Sequence, residues 1–215
     1  MNENKIFNLY KTLLKNYKPQ GWWPTIDGGY HPNDYRFDKS DDEIFEICLG
    51  VILTQNTSFE SVVKSLQNLN ELCKISPKNI ENLDIEKLRL AIKPSGYYNQ
   101  KTSYILNFID FFNSLNGREP TRDELLGVKG IGNESADSIL LYGYNQSEFV
   151  VDTYTKRVFL ANSIINEDAK YMQIKNMVEQ SFQKELDTKE DLTIAYNEFH
   201  ALIVAHAKEF HSRRR

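Results

Sequence analysis

The apolar positions of this chain recur mostly at spacings of three and four, the repeat of an amphipathic helix. Ile6, Leu9, Leu13 and Leu14 mark a first helix. Residues 18–40 are rich in Gly, Pro, Asp and Tyr, and read as an irregular loop carrying Trp22-Trp23-Pro24. Asp41 or Asp42 can cap a second helix, in which Ile44, Phe45, Ile47, Cys48, Val51, Ile52 and Leu53 make nearly every side apolar. Such a helix is central in its domain. Val62, Val63, Leu66 and Leu69 line one face of a helix over 59–72, and residues 77–92 hold a short helix and a turn. Tyr104, Ile105, Phe108, Ile109 and Phe112 point inward from a helix over 98–115. Thr121-Arg122-Asp123-Glu124 has the Thr-to-Glu spacing of a capping box. Further helices are predicted over 135–144, 155–164, 170–185 and 192–210. Alternating patterns are nearly absent, and Phe149-Val150-Val151 is too short to pair convincingly. The pattern predicts an all-α fold without internal repeats.

Composition narrows this picture. The length of 215 residues suits one or two domains with a real core. No apolar run approaches the roughly 18–20 residues of a membrane span, and Met-Asn-Glu-Asn-Lys shows no signal pattern, so no membrane partner is expected. Cys48 and Cys73, the chain's 2 cysteines, read as buried thiols in a reducing compartment such as the cytoplasm. The net charge of −4 argues weakly against a nucleic-acid partner, but the charges are grouped. Acids concentrate at 38–46, 81–86 and 185–191, whereas Lys93, Lys101, Lys129, Lys156 and Arg157 fall near predicted turns and Arg213-Arg214-Arg215 forms a basic tail. A basic cleft on an acidic protein is the expectation. His200, His206 and His211 fall on one predicted helix, six and five residues apart, not three or four. They read as surface or cap residues, not as a metal site.

The densest chemical signal is Val128-Lys129-Gly130-Ile131-Gly132-Asn133-Glu134-Ser135-Ala136, followed by Val150-Val151-Asp152. A hydrophobic-Gly-hydrophobic-Gly turn opens a helix here. Its first N–H groups and positive dipole end bind phosphate without reading sequence. Two simpler readings stand beside this one: the glycines form only a turn, and Asp152 only caps the helix containing Lys156 and Arg157.

Across residues 20–160 the chain resembles the endonuclease III superfamily of DNA glycosylases. The residues that carry the resemblance are Trp22-Trp23-Pro24, Val51-Ile52-Leu53-Thr54-Gln55-Asn56-Thr57, Pro94-Ser95-Gly96-Tyr97-Tyr98-Asn99-Gln100-Lys101, the Gly130 helix-hairpin-helix and Val151-Asp152. The tryptophan pair and Gln55-Asn56-Thr57 are most similar to bacterial 3-methyladenine DNA glycosylases lacking an iron–sulfur cluster, and two cysteines are too few to hold one. The resemblance implies two helical subdomains around a cleft. Residues 41–152 would form a six-helix barrel-like domain with the hairpin at about 120–145, and 1–40 plus 153–215 the second, with Asp152 at the mouth.

The resemblance also implies roles. Asp152 is the expected catalytic carboxylate: N-glycosidic cleavage passes through an oxocarbenium-like state, which a carboxylate stabilises while orienting water. Glu134 stands where bifunctional members carry the lysine that forms a Schiff base, and it has no amine. The implied activity is therefore monofunctional, with no associated lyase. Glu134 lines the base pocket or is an exposed first-turn acid. Trp22 and Trp23 suit a cationic alkylated purine such as 3-methyladenine, since a cation over an indole face gains roughly 0.5–2 kcal/mol and a flipped base needs stacking walls. The alternative is that they anchor the loop. Phe59 would form the opposite wall, and Lys208 approaches the pocket or is a solvated lysine. Gln55 fills the gap left by the flipped base or simply caps a helix. Tyr98, Lys101, Lys129, Gly130, Gly132 and Ser135 are expected at the DNA interface, although Tyr97, Tyr98 and Lys101 also suit loop support. The backbone carbonyls of Leu126, Val128 and Ile131 would hold a sodium or potassium ion when DNA is bound. The expected partner is double-stranded DNA containing a damaged base, met by a monomer. The competing readings are a non-catalytic hairpin DNA-binding module and a glycosylase for oxidised or deaminated bases.

Overall fold

The computed structural model describes residues 2–35 and 38–210. Eleven α-helices are found among them: α1 (Asn2–Tyr17), α2 (Asp41–Thr54), α3 (Phe59–Leu72), α4 (Pro77–Glu81), α5 (Ile85–Ile92), α6 (Tyr98–Ser114), α7 (Arg122–Gly127), α8 (Asn133–Ser138), α9 (Thr153–Ala161), α10 (Tyr171–Gln183) and α11 (Lys189–Phe210). A π-helical turn, Ile139–Gly143, continues α8. No strand forms among the described residues, and one lone bridge joins Thr25 and Gly29. The fold is all-α, and no helix among the described residues is long and apolar enough to cross a membrane.

Caps explain where the helices begin. Asp41 and Asp42 do not cap α2. They occupy its first turn, and Ser40 is the cap, its Oγ accepting from Glu43 N while Glu43 returns a bond to Ser40 N at 2.9 Å. Thr121 caps α7 by the same box. The 77–92 stretch is two helices instead of a helix and a turn, because Asp84 accepts from Glu86 N and Lys87 N and starts α5 afresh.

The chain forms two compact units: residues 1–23, 30–35 and 145–215 make one, and residues 24–29 and 36–144 make the other. Their boundaries differ from the expected 40/41 and 152/153, and Asp152 belongs to the unit built from both chain ends. In that unit α1 packs on α10 and α11, and α11 on α9. Its core is aromatic: Phe182 meets Phe7, Tyr196 and Phe199 at ring centroid distances of 5.1, 5.4 and 5.3 Å, and such pairs contribute about 0.5–1.5 kcal/mol beyond their burial. In the other unit α2 packs on α3, α6 and α8, and α3 on α5. The all-round apolar pattern of α2 has its expected cause, since every residue from Ile47 to Leu53 is buried. Cys48 is buried within that run, whereas Cys73 is only half-buried.

Candidate functional site

Asp152 is the N-cap of α9. Its Oδ1 accepts from Thr155 N at 2.7 Å and from Thr155 Oγ1 at 2.9 Å. Its Oδ2 lies 3.6 Å from His200 Nε2, an ion pair when the imidazole is protonated, and the Asp152 side chain keeps 13% of its surface exposed. Burial pushes the Asp152 carboxyl up, but the His200 ring and the Thr155 donors outweigh it, and the net position is below the ordinary carboxylate value. The capping reading of Asp152 is thus correct, and one carboxylate edge is fixed by the cap while the other faces His200.

His200 overturns its expectation as a surface or cap residue. It is buried on α11 at 5% exposure, and its ring meets Trp22 edge-on, 5.7 Å between centroids. His206 also differs: it is half-buried, with Nδ1 3.0 Å from Tyr17 Oη. His211 and Arg213-Arg214-Arg215 lie outside the described residues. Helical spacing among histidines could not reveal a partner 48 positions away, and nothing else in the sequence marked His200.

Trp22 also walls a cavity of about 340 Å³ together with Gln20, Tyr30, Ala201, Val204, Ala205 and Lys208, at the small end of ligand pockets. Lys208 is exposed and still lines this space. Trp23 does not line it. Trp23 is 6% exposed, its ring edge-on to Trp22 at 5.9 Å, and it acts as the loop anchor that was the alternative reading. The loop is fastened from α11: Asn197 Nδ2 donates to Trp22 O at 2.9 Å, and Glu198 accepts from Gln20 N at 2.8 Å and Gly21 N at 3.3 Å. One helix therefore holds the cavity wall and, three and two residues on, the ring beside Asp152.

The hairpin lies in the other unit. Its turn closes with Ile131 N donating to Val128 O at 3.0 Å, and Gly132, at the cap position of α8, supplies no side-chain acceptor. Gly130 has φ +103°, and a Cβ there would fall against the Tyr104 ring; Gly132 has open space around it. The two glycines are therefore not equivalent. Arg122 braces the turn, with Nε 2.7 Å from Asp137 Oδ1 and an Nη 2.7 Å from Asn133 Oδ1. Asp137 is fully buried, and sequence reasoning missed this pair. Gln55 ends α2 and turns its amide onto the hairpin, donating to Gly130 O at 2.9 Å and to the buried Ser135 Oγ at 3.1 Å. Gln55 is thus the helix cap that was the alternative to the plug reading, and its amide clamps the hairpin.

Lys101 is a correction to the expected interface. It is 2% exposed, and its Nζ donates to Leu53 O and Ser95 O, both at 2.7 Å. Burial brings its ammonium down to about 8. It supports the loop after α5 and drops out of the expected basic surface, while Lys93 and Lys129 are exposed and Lys156 and Arg157 half-buried. Tyr98 is half-buried at the start of α6, and Glu134 is exposed in the first turn of α8. Phe59, the first residue of α3 after its Ser58 cap, is half-buried. Among the described residues no cluster of three or more His, Cys, Asp or Glu could hold a metal. The carbonyls of Leu126, Val128 and Ile131 are the hard oxygen donors that a monovalent cation takes, although Val128 O already accepts one hydrogen bond.

Residues 49–184 match the family model of the HhH-GPD superfamily base excision DNA repair protein. The chain is 38% identical over 224 residues to the Methanocaldococcus jannaschii protein "Putative DNA repair glycosylase MJ1434", covering 98% of this chain and 91% of that protein. It is 30% identical over 207 residues to endonuclease III of Sulfolobus acidocaldarius, covering 94% and 85%. The structure is similar to that of H. pylori 3-methyladenine DNA glycosylase (MagIII) bound to 1,N6-ethenoadenine, with a TM-score of 0.73, 29% identity and coverage of 97% and 98%. With the hairpin, the capped aspartate and these matches together, the chain belongs to the HhH-GPD superfamily of base excision DNA repair proteins, the endonuclease III superfamily of DNA glycosylases.

Proposed function

We propose that this protein is a monofunctional glycosylase that hydrolyses the N-glycosidic bond of alkylated purines such as 3-methyladenine in duplex DNA, leaving the strand intact. The observation that carries the reading is the continuous row formed by the cavity, Trp22, His200 and the Asp152 carboxylate within one unit. A cationic purine against the Trp22 face is held by cation–π attraction of about 0.5–2 kcal/mol, and it is a good leaving group that needs no strong acid. As the C1′–N bond breaks, its electron pair leaves with the base. The positive charge on the sugar falls to Asp152, held ionised by His200 and Thr155. Water adds to C1′ and gives up its proton, with the carboxylate as the acceptor at hand. The H. pylori protein's complex with a modified adenine supports a purine adduct as the ligand.

The duplex is held by the turn Val128–Gly132 and the N-terminal N–H groups that follow it. A sodium or potassium ion on the carbonyls of Leu126, Val128 and Ile131 would supply positive charge to a phosphate there. The lack of an amine at Glu134 supports hydrolysis without strand cleavage. No iron–sulfur cluster is required, and the protein acts as a cytoplasmic monomer.

The test is base release from methylated, uracil-containing, oxidised-pyrimidine and 8-oxoguanine duplexes, read with and without hot alkali. The expected result is release of methylpurines, with strand breaks only after alkali. Asp152→Asn should abolish release and leave duplex binding intact. Strand breaks without alkali would refute the monofunctional assignment. A wild-type protein that binds duplex but frees no base would make it a binding module.

A further inference from the structure

Phe149, Val150 and Val151 lead directly into Asp152. They are buried and belong to no strand. Buried backbone groups require hydrogen-bond partners, which an adjacent strand would ordinarily give. Here one face of α10 supplies partners to Phe149 N, Phe149 O and Val151 N. Glu179 Oε1 accepts from Phe149 N at 3.0 Å, Lys175 Nζ donates to Phe149 O at 3.4 Å, and Tyr171 Oη accepts from Val151 N at 3.4 Å. The three residues stand four apart and so share one side of the helix. Lys175, 3% exposed, is held in turn by Glu148 at 2.5 Å and Glu179 at 2.6 Å. A buried ion pair of this kind is weak evidence for stability, because desolvation consumes most of the attraction. Its placement on the backbone just before the candidate catalytic residue points to a different use.

We propose that Tyr171, Lys175 and Glu179 are positioning residues that fix the Asp152 carboxylate by standing in for a strand partner along residues 149–151. The inference rests on the glycosylase reading, since that reading gives Asp152 its work. The route is the main chain: the Val151 N–H held by Tyr171 is one residue from Asp152, whose cap to Thr155 carries any displacement into α9. A misplacement of about 1 Å costs on the order of 100-fold in rate.

The test uses the full chain in excess over duplex DNA treated with a methylating agent, with single-turnover release of methylpurines as the readout and anisotropy for duplex binding. Glu179→Leu should slow the rate constant by on the order of 10- to 100-fold with binding unchanged. Glu179→Gln keeps an oxygen for Phe149 N and should return most of the rate. Tyr171→Phe removes only the hydroxyl and should slow the rate several-fold. A merely structural role would lower the melting temperature and the active fraction, but not the rate constant of the active molecules. Rate constants of Tyr171→Phe and Glu179→Leu within about twofold of wild type, beside an inactive Asp152→Asn, would overturn this proposal alone. Glu179→Gln as slow as Glu179→Leu would also overturn it, because the acceptor would then be irrelevant. Should Glu179→Leu fail to fold, Tyr171→Phe decides the question. A wild-type protein that releases no base would overturn the glycosylase reading and this inference with it.

Discussion

Gly130→Ala tests the hairpin most directly, because the structure separates two costs at one atom. The residue has φ +103°, and an added Cβ would stand 2.3, 2.4 and 2.7 Å from Tyr104 Cγ, Cδ1 and Cδ2, against about 3.5–4.0 Å for ordinary carbon contact. A non-glycine residue in so sparsely populated a conformation costs about 1–3 kcal/mol. Forcing the ring aside costs about 1–3 kcal/mol more. The sum, about 2–6 kcal/mol, is a large part of the roughly 5–15 kcal/mol that holds a domain together. Gly132→Ala is the internal control. Its φ is −104° and no atom lies within 4 Å of the added Cβ. The gain of about 0.4–1 kcal/mol from restricting the unfolded chain is set against glycine's advantage over alanine at a cap, so the net change is within about 0.5 kcal/mol. Guanidinium unfolding midpoints at constant slope measure both. A cycle with Tyr104→Ala isolates the steric part, with an expected coupling of about 1–3 kcal/mol. Coincident midpoints for the two glycine variants, or a coupling below about 0.3 kcal/mol, would refute the reasoning. If the hairpin grips the duplex as proposed, Gly132→Ala should still weaken duplex binding, because its Cβ would enter the space a phosphate there needs.

His200→Ala removes the group that holds Asp152 ionised and leaves the burial that opposes ionisation. The acidic limb of the excision–pH profile should therefore move to higher pH, and an unmoved limb would refute the pairing. The ionised Asp152 also contributes stability that is present above the unfolded carboxylate value of about 3.9 and lost as pH falls through the lower folded value. The two tryptophans should separate: Trp22→Ala lowers methylpurine excision with little change in melting temperature, whereas Trp23→Ala empties a buried site and costs about 3–5 kcal/mol. Arg122→Ala leaves the fully buried Asp137 without its guanidinium. It should cost about 3–5 kcal/mol in unfolding free energy, and a loss below about 1 kcal/mol would mean that the pair is dispensable.

Local signals were legible and tertiary ones were not. The apolar periodicity located the helices, and Thr121 with Glu124 located a cap, because both depend only on neighbours along the chain. Ser40 was missed as the α2 cap because two acids beside it are equally good cap residues, and only the chain path decides among them. The hairpin and Asp152 were visible because a φ near +100° and a helix entrance each restrict residue type. Lys101 misled because lysine is usually solvated; its two carbonyl partners come from α2 and from the turn after α5. His200, Lys175 and Glu179 act across dozens of residues, and no spacing rule reaches that far.

The unit that holds Asp152 and the cavity is assembled from the first and the last described helices. During synthesis, the helix-hairpin-helix leaves the ribosome while α11, with Asn197, Glu198 and His200, has yet to be made. A nascent chain at that stage carries the turn proposed to grip the duplex and lacks both the helix that fastens the Trp22 loop and the ring beside Asp152. Under the proposed function, excision is thereby tied to translation of α11.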